Sequence, residues 1–257
     1  MDKNGQKRVS LLGVEIDSYP LDVFLQKLEE RMRQGIGAYA VTPNVDHIVR
    51  AKTDGEFREI YRQASFVVPD GMPLVWASRW LGTPLPERIT GADLFPRLCV
   101  RAARTGRSIF LLGATPDVGQ RVLDKLRKEN PALKIAGHYS PPFGFEKCRD
   151  ELEKIVWVLK EAKPDVVFAA LGTPKQEKLI YHLRTRVPAR LFIGVGAAFD
   201  FYSGEKKRAP RWLQKTGLEW AFRLVNEPGR LWRRYLVDDP RFFWWVAKEK
   251  FLGKADD

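Results

Sequence analysis

The feature that most constrains this fold is a regular alternation of short apolar runs with amphipathic helical patterns along the 257 residues. Runs such as DVVFAALG are apolar at every position rather than at every second one, which is typical of parallel strands covered on both faces. The segment Cys148–Ala162 instead repeats its apolar side chains at a helical period. This alternation predicts the α/β class, with a Rossmann-like, mainly parallel sheet flanked by helices.

Seven strands and eight helices follow from these patterns. The predicted strands are Val9–Ile16, Ala38–Thr42, Phe66–Val68, Ser108–Leu112, Lys134–Tyr139, Val166–Leu171 and Leu191–Val195. The predicted helices are Leu21–Arg33, Val45–Ala51, Glu56–Gln63, Pro73–Leu81, Ala92–Thr105, Val118–Glu129, Cys148–Ala162 and Lys175–Arg184. Because ligands of open α/β sheets bind at the carboxyl ends of the strands, the residues directly after each strand are the first candidates for a site.

Short polar side chains follow the second and third predicted strands. Thr42 and Asn44 precede a helix, and Asn44 suits either a helix N-cap or a ligand contact. Asp70 stands between Pro69 and Gly71, which is an ordinary turn sequence. A carboxylate at the ligand edge of a sheet is equally a candidate general base, because partial desolvation tunes its pKa. The residue types alone leave both interpretations open.

The stretch GTPKQEKL follows the next-to-last strand. Gly172 lets the backbone turn, and Pro174 starts a helix. Free backbone N–H groups in the first turn of that helix favour an anionic or polar ligand. The first turn holds Lys175, Gln176 and Glu177. The stretch is not a Walker A loop, and the chain contains no complete GxGxxG, so no specific nucleotide motif is indicated.

The stretch GVGAAFDFYSG follows the last predicted strand. Gly194 and Gly196 permit close approach of a ligand, and Asp200 has the side chain to accept from a ribose hydroxyl. Phe199 and Tyr202 suit either stacking on a ligand or packing in the core. A tight turn with core aromatics therefore remains the alternative.

Two absences narrow the expected chemistry. No two aspartates have the D-x-D spacing of the usual metal–diphosphate clamp, and no Ser, Cys or Thr lies in a nucleophile elbow. The two cysteines and three histidines show no zinc spacing, and nothing demands a disulfide, which fits a reducing cytoplasm. We therefore predict a site with no metal and no cofactor, in which backbone N–H groups, Arg and Lys meet the charge of phosphate groups.

The basic charge is concentrated near the C-terminus. The formal net charge is +12, and residues 206–250 hold twelve Lys and Arg against five Asp and Glu, with five of the eight Trp. We predict a Rossmann-like core over residues 1–204 and a basic, Trp-rich helical appendage over residues 205–257. Such an appendage suits a nucleic acid, an anionic membrane surface or a small anionic substrate. The polar N-terminus has no signal-peptide pattern, and no apolar run approaches the roughly 20 residues of a spanning helix, so we expect any membrane contact to be peripheral.

Seven motifs occur in the same order in one family of bacterial enzymes. They are TPN, VPDGMPLVWASRWLG, ERITGADLF, YSPPFG, LGTPKQE, GVGAAFDFYSG and RAPRWLQKTGLEWAFRLVNEPGRLWRRYL. Through them the chain resembles the WecG/TagA/CpsF glycosyltransferases, from about Val9 to Tyr235. The resemblance implies an inverting, metal-independent transferase that moves a sugar from a UDP-sugar to a sugar on a polyprenyl diphosphate. It also implies a role in the synthesis of surface polysaccharides or cell-wall polymers.

The resemblance implies roles for the matching residues as well. Asp70 resembles the general base that deprotonates the acceptor hydroxyl, and Thr42 and Asn44 resemble residues that position the sugar. Arg88, in ERITG, resembles a contact to phosphate or to the leaving group. The expected donor-binding residues are Gly172, Pro174, Lys175, Gln176, Glu177, Gly194, Gly196, Phe199 and Asp200.

Three arginines of the appendage also match the family. By resemblance, Arg223, Arg230 and Arg233 close over the site and contact the diphosphate of the acceptor. Their spacing of seven and three allows one helical face, although Pro228 interrupts the helix between them.

The rest of the appendage resembles an interfacial anchor, because amphipathic rings and basic side chains meet anionic lipid. The anchor residues are Phe242, Phe243, Trp244, Trp245, Lys248 and Lys250. The alternative is a solvated basic helix whose tryptophans pack on the core. We expect a peripheral location on the cytoplasmic face of the bacterial plasma membrane and no nucleic-acid partner. The sequence leaves the oligomeric state open; one hypothesis is a homo-oligomer in solution that covers the appendage and dissociates on membrane recruitment. A nucleic-acid-binding protein and a non-catalytic membrane partner with this fold are the other functions considered.

Overall fold

The structure, a computed structural model, describes residues 7–35, 37–233, 235–236 and 239–252, without the side chains of residues 211, 215, 230 and 233. Its strands are β1 Arg8–Leu11, β2 Val14–Asp17, β3 Ala38–Val41, β4 Phe66–Val67, β5 Ser108–Gly113, β6 Lys134–Tyr139, β7 Val166–Ala170 and β8 Leu191–Gly194. Its helices are α1 Leu21–Arg33, α2 Val45–Thr53, α3 Gly55–Arg62, α4 Met72–Trp80, α5 Gly91–Arg104, α6 Pro116–Glu129, α7 Arg149–Ala162, α8 Lys175–Leu183, α9 Ala198–Ser203, α10 Arg211–Lys215, α11 Glu219–Asn226, α12 Pro228–Arg233 and α13 Asp239–Leu252.

The last six strands form one sheet in the order β4-β3-β8-β7-β5-β6, and every neighbouring pair is parallel. This arrangement confirms the predicted α/β class with a parallel sheet flanked by helices. Side chains alternate between the two faces along each strand, so that Val167 and Phe192 face one apolar core while Phe168 and Ile193 face the other. Helices α1, α5, α6 and α9 cover the second face, and α2, α3, α7 and α8 cover the first. Burial on both faces is why these strands are apolar at every position.

The first predicted strand, Val9–Ile16, is wrong, because this segment is an antiparallel hairpin of β1 and β2 apart from the main sheet. Leu12 and Gly13 form its turn with positive φ values of 52° and 83°. The hairpin docks on the sheet edge through the fully buried Asp17, whose Oδ2 accepts from the backbone N–H of Val67 at 2.7 Å. That bond satisfies a donor of the edge strand.

The other predicted elements agree with the structure to within a few residues at their ends. Within the predicted core, residues 1–204, one described α-helix was not predicted: α9 occupies the stretch after β8, for which a tight turn was one of the alternatives. It ends at Gly204, whose φ of 83° is the left-handed conformation common after helices.

The basic C-terminal segment forms α10 to α13, and its last helix packs on the core. Phe242 and Val246 of α13 are fully buried and belong to the same apolar core as α2. The expected role of Phe242 in a membrane anchor is therefore wrong, because its ring is enclosed by protein. The division after residue 204 remains a prediction. In the described part of the chain, every helix is too short or too polar to cross a membrane.

Candidate active site

A cleft of about 760 Å³ opens at the carboxyl ends of the parallel strands. The loops after β3, β4, β5, β7 and β8 form one side of it, and α11 to α13 contribute to the other. From the adjacent strands β5 and β7 the chain leads to opposite sides of the sheet, so the cleft includes a topological switch point. The predicted site residues that line the cleft are Thr42, Asn44, Asp70, Arg88, Gly172, Gln176, Gly196, Asp200 and Arg223.

Asp70 is held in the cleft by its backbone. Its N–H donates to the carbonyl oxygen of Pro43 at 2.7 Å, which ties the loop after β4 to the loop after β3. Gly71 follows with a φ of 143°, a conformation that glycine adopts without strain, and turns the chain into α4. Among the described residues, the carboxylate of Asp70 has neither a hydrogen bond nor a salt bridge. Both interpretations of Asp70 therefore apply: it lies in a turn, and its carboxylate is presented at the ligand edge of the sheet.

Burial raises the pKa of Asp70 from 3.8 to about 6, and the carboxylate of Glu219 adds to the rise. The cations Arg223 and Arg88, with His47, act in the opposite direction and keep the pKa from rising further. A carboxylate with a pKa near neutrality is ionised at physiological pH and is also basic enough to accept a proton. Asp70 thus has the chemistry of a general base.

His47, one of the residues that line the cleft, joins two of its loops. Asn44 is the N-cap residue of α2, as its sequence context suggested, and its Oδ1 lies 2.8 Å from Nδ1 of His47. The other ring nitrogen, Nε2, lies 2.5 Å from Oγ1 of Thr173 and 3.4 Å from Oε1 of Glu177. The imidazole therefore connects Asn44, after β3, with the loop that follows β7.

Gln176 and Glu177 extend this network to the loop after β8. Glu177 accepts from the hydroxyl of Thr173 at 2.7 Å and from Nε2 of Gln176 at 2.6 Å. Burial raises the pKa of Glu177, but the hydrogen bonds from His47 and its other donors hold it below its usual value. Oε1 of Gln176 accepts from the backbone N–H of Gly196 at 3.2 Å. One hydrogen-bonded chain thus fixes the three loops, and it orients the amide of Gln176.

Arg88 is paired with the C-terminal segment. Its Nη1 donates to Oε2 of Glu219 at 2.7 Å, and its Nη2 donates to Oε1 of Gln214 at 3.3 Å. Arg223 also lines the cleft, and its Nε is buried without a hydrogen-bond partner among the described residues. A buried donor of this kind is costly unless a ligand satisfies it. The expectations for Arg230 and Arg233 concern side chains that lie outside the described residues.

Five predicted donor-binding residues do not line the cleft: Pro174, Lys175, Glu177, Gly194 and Phe199. Pro174 is the N-cap of α8, and Nζ of Lys175 pairs with Oε1 of Glu146 at 2.8 Å. Glu177 supports the wall through the His47 network. Gly194 leaves room for Gln176, because a Cβ there would lie 2.8 Å from Nε2.

A donor contact for Phe199 is wrong. The ring is fully buried, with its centroid 5.0 Å from that of Phe95 in the core under α5 and α9. The helical geometry of α9 turns Phe199 into the core and leaves Asp200 and Phe201 in the cleft lining. For Phe199 the alternative given by the sequence, packing in the core, is therefore the correct one.

Sequence reasoning missed four groups that line the cleft: His47, Lys206, Glu219 and the pair Ala114–Thr115. Lys206 places Nζ 3.3 Å from Oδ2 of Asp200 and 3.2 Å from Oε2 of Glu227. The sequence did contain a signal for Ala114–Thr115, because a Thr-Pro pair follows β5 in GATP just as it follows β7 in LGTP. A lone histidine and a glutamate from a distant helix carry no comparable local signal.

Four aromatic residues of the cleft lining, which we call the aromatic rim, are Trp76, Trp220, Tyr235 and Phe243. Phe243 of this rim is 46% exposed and the next residue, Trp244, is 63% exposed, whereas Trp245 is partly buried with its ring centroid 5.9 Å from Nζ of Lys52. Of the residues predicted to form a membrane anchor on α13, Phe243 and Trp244 are therefore exposed, whereas Phe242 is buried and Trp245 is partly buried.

In the described part of the chain, no three His, Cys, Asp or Glu side chains cluster in a way that could hold a metal ion. A family model described as "Glycosyl transferase WecG/TagA/CpsF family" matches residues 9–256. The chain is 37% identical over 231 residues to the N-acetylglucosaminyldiphosphoundecaprenol N-acetyl-beta-D-mannosaminyltransferase of Bacillus subtilis (strain 168), which covers 90% of this chain and 87% of the relative. It is 35% identical to the transferase of the same name from Bacillus spizizenii, with 92% of each chain covered, and 30% identical to that of Staphylococcus aureus (strain MRSA252), with 97% and 96% covered.

Proposed function

Because the chain belongs to the WecG/TagA/CpsF family of glycosyltransferases, we propose that it transfers a sugar from a UDP-sugar to a sugar carried on a polyprenyl diphosphate. The transfer inverts the anomeric configuration and needs no metal ion. The names of the relatives specify an N-acetyl-β-D-mannosaminyl group and N-acetylglucosaminyldiphosphoundecaprenol, which makes this pair the first candidate for donor sugar and acceptor. A β-linked product from an α-linked nucleotide sugar requires inversion.

The observation that carries the proposal is the position of Asp70 in the same cleft as Arg88 and Arg223, with a pKa of about 6 and with no partner for its carboxylate among the described residues. In the proposed reaction Asp70 accepts the proton of the acceptor hydroxyl while that oxygen bonds to the anomeric carbon of the donor. The bond from this carbon to UDP breaks, and its electron pair leaves with UDP. Fixed guanidinium groups stabilise the charge that grows on the departing diphosphate. A single displacement of this kind inverts the anomeric carbon.

The donor is proposed to bind at the loops after β7 and β8. Gly172 and Gly196 have positive φ values of 74° and 53° and no side chain, so a ligand can approach their backbone closely. Asn44 and Gln176 are held by the His47 network and suit hydrogen bonds to sugar hydroxyls. Asp200 suits the ribose, since it lines the same cleft. These polar groups supply orientation, while the charge of the diphosphate is met by arginine.

The acceptor is proposed to enter from the aromatic rim, with its diphosphate on Arg223. The buried Nε of Arg223 has no hydrogen-bond partner among the described residues and suits a phosphate oxygen. The exposed Trp244, Phe251 and Leu252 on α13 suit the headgroup layer of a bilayer, where amphipathic rings and basic side chains bind. We therefore place the protein peripherally on the cytoplasmic face of the bacterial plasma membrane, where the lipid acceptor would reach the cleft.

The test of the reaction is UDP release. Wild type, Asp70→Asn and the control Glu205→Gln are incubated with a panel of UDP-sugars and short-chain lipid diphosphate sugars, with and without EDTA. Glu205 is a suitable control because its carboxylate forms an exposed ion pair with Arg121 away from the cleft. We expect turnover with one pair, retained in EDTA and in the control, and lower by about 10²-fold or more in Asp70→Asn. Near-normal turnover of a folded Asp70→Asn variant would contradict the role of the base, and loss in EDTA would contradict metal independence.

Membrane contact is tested separately by co-sedimentation with lipid vesicles. We expect binding to vesicles that contain anionic lipid, weaker binding to neutral vesicles, and a further loss on Trp244→Ala. Equal recovery with both vesicle types would contradict the proposed electrostatic contact.

A further inference from the structure

Glu219 is the first residue of α11 and reaches back onto the core at the wall of the cleft. Its Oε2 accepts from Nη1 of Arg88 at 2.7 Å, and its Oε1 lies 3.7 Å from Nε of Arg208. The side chains of Arg88 and Glu219 are each 16% exposed, so solvent screens this pair only in part. The carboxylate of Glu219, in the motif GLEW, thus lies between the guanidinium groups of Arg88 and Arg208.

The second guanidinium group is already fixed. Arg208 donates from Nη1 and Nη2 to the two carboxylate oxygens of Asp93 at 2.7 and 3.0 Å, and Nη2 lies 3.3 Å from Oγ1 of Thr90. Its Nε is buried without a hydrogen bond to any described residue and is the atom that faces Glu219. Among the described residues Arg88 has no second carboxylate of this kind, because its other hydrogen bond goes to the amide oxygen of Gln214. The orientation of Arg88 therefore depends on Glu219.

Asp70 lies among these charges without pairing with any of them. The ionisable groups that face it come from several elements: Glu219 and Arg223 from α11, Arg88 from the loop before α5, His47 from α2, Tyr61 from α3 and Arg208 from the segment after α9. Three of the six are arginines, and an arginine within pairing distance lowers the pKa of a carboxylate by about 1–3 units. Two of the three arginines are engaged by other carboxylates, Arg88 by Glu219 and Arg208 by Asp93, so they do not pair with Asp70.

We propose that Glu219 is a positioning residue of the transfer reaction: it engages the guanidinium of Arg88, so that Asp70 is left unpaired to act as the base. The inference rests on the proposed function, since it gives Asp70 and Arg88 their roles. Arg88 keeps N–H groups that are not bonded to Glu219 or Gln214, and these remain for the departing diphosphate. The negative charge of Glu219 also contributes directly, because it opposes ionisation of Asp70 and so raises its basicity.

A purely structural role for Glu219 would be to dock α11 on the core. The two roles separate in their effects: docking changes the stability of the fold, whereas positioning changes the titration of Asp70. The test therefore follows the carboxyl carbon of Asp70 by ¹³C NMR between pH 4 and 8, in wild type, Glu219→Gln, Glu219→Asp and the double variant Arg88→Gln/Glu219→Gln. Thermal unfolding of each variant is recorded in parallel, and Glu205→Gln serves as a carboxylate control away from the cleft.

We expect the titration midpoint of Asp70 to fall by about 1 unit in Glu219→Gln, as the freed Arg88 pairs with it. Glu219→Asp retains the charge and should stay near wild type, and the double variant should recover much of the shift because no arginine remains at that position. The acid limb of the rate of UDP release should move to lower pH in Glu219→Gln, with a lower rate above pH 7. An unchanged midpoint in a folded Glu219→Gln variant would overturn the inference. Should Asp70→Asn retain turnover, the proposed function itself fails, and UDP release from that variant distinguishes the two failures.

Discussion

Replacing Asp70 by Asn should make the protein more stable while removing its activity. Burial raises the pKa of Asp70 from 3.8 to about 6, and each unit corresponds to about 1.4 kcal/mol. The folded state therefore binds a proton more tightly than the unfolded state, and stability falls as the pH rises from about 4 to about 6. Above pH 6 the ionised carboxylate lowers the free energy of unfolding by up to about 3 kcal/mol. An amide of the same shape carries no charge to desolvate.

The assay is chemical and thermal denaturation of wild type and Asp70→Asn at pH 8 and pH 4. For a chain of this size a gain of 1–3 kcal/mol raises Tm by on the order of 5 °C, and we expect that gain at pH 8 and little of it at pH 4. The matched control is Asp165→Asn, which should be destabilising. The Asp165 carboxylate accepts from the backbone N–H of Ser108 at 2.9 Å and from Nε of Arg190 at 3.0 Å, and these partners hold its pKa below the usual value against the opposing effect of burial. A Tm of Asp70→Asn at or below that of wild type at pH 8 would refute the reasoning.

Three further predictions concern the cleft and its support. The value of kcat/KM for UDP release should fall about tenfold per unit below about pH 6, because only ionised Asp70 accepts a proton, and an acid limb near pH 4 would contradict the raised pKa. Glu177→Gln should lower the free energy of unfolding by about 1–3 kcal/mol in a denaturant titration, because the amide turns one of the buried acceptors into a donor; wild-type stability would argue against the network. Gly217→Ala should reduce turnover and stability by more than Gly82→Ala: both glycines have positive φ, but only at Gly217 would the new Cβ collide with the ring of Trp76, so equal effects in the two variants would count against that contact.

The sequence predicted the parallel sheet well because both of its faces are buried. Strands such as Val166–Ala170 are apolar throughout, and few other structures produce that pattern. The hairpin of β1 and β2 was missed because Leu12 continues the apolar run although its φ is positive, which leaves Gly13 as the one residue that marks the turn. Positions after the strands were reliable guides, since Asn44, Asp70 and Gln176 all reach the cleft through the topology of the sheet alone.

Side-chain directions within the loops were less predictable. Phe199 and Asp200 are neighbours in a glycine-rich stretch, and only the unpredicted helix α9 assigns one to the core and the other to the cleft. Glu219 could not be found from local pattern, because its partner Arg88 is 131 residues away and the two meet only when α11 docks on the core. His47 was missed because a histidine inside a helical pattern looks the same whether it faces a core or a loop.

The hydrogen-bonded chain through His47 also bears on how this enzyme could be redesigned. Hydrogen bonds join the segments after β3, β7 and β8, from His47 to Thr173 and from Gly196 to Gln176, so a segment transplanted alone from a relative would leave these bonds without their partners. Choice of donor sugar should therefore transfer between relatives as a set of three segments rather than one at a time. A chimera that exchanges all three segments together is expected to take on the donor specificity of the relative. Chimeras that exchange a single loop are expected to lose stability without changing their donor sugar.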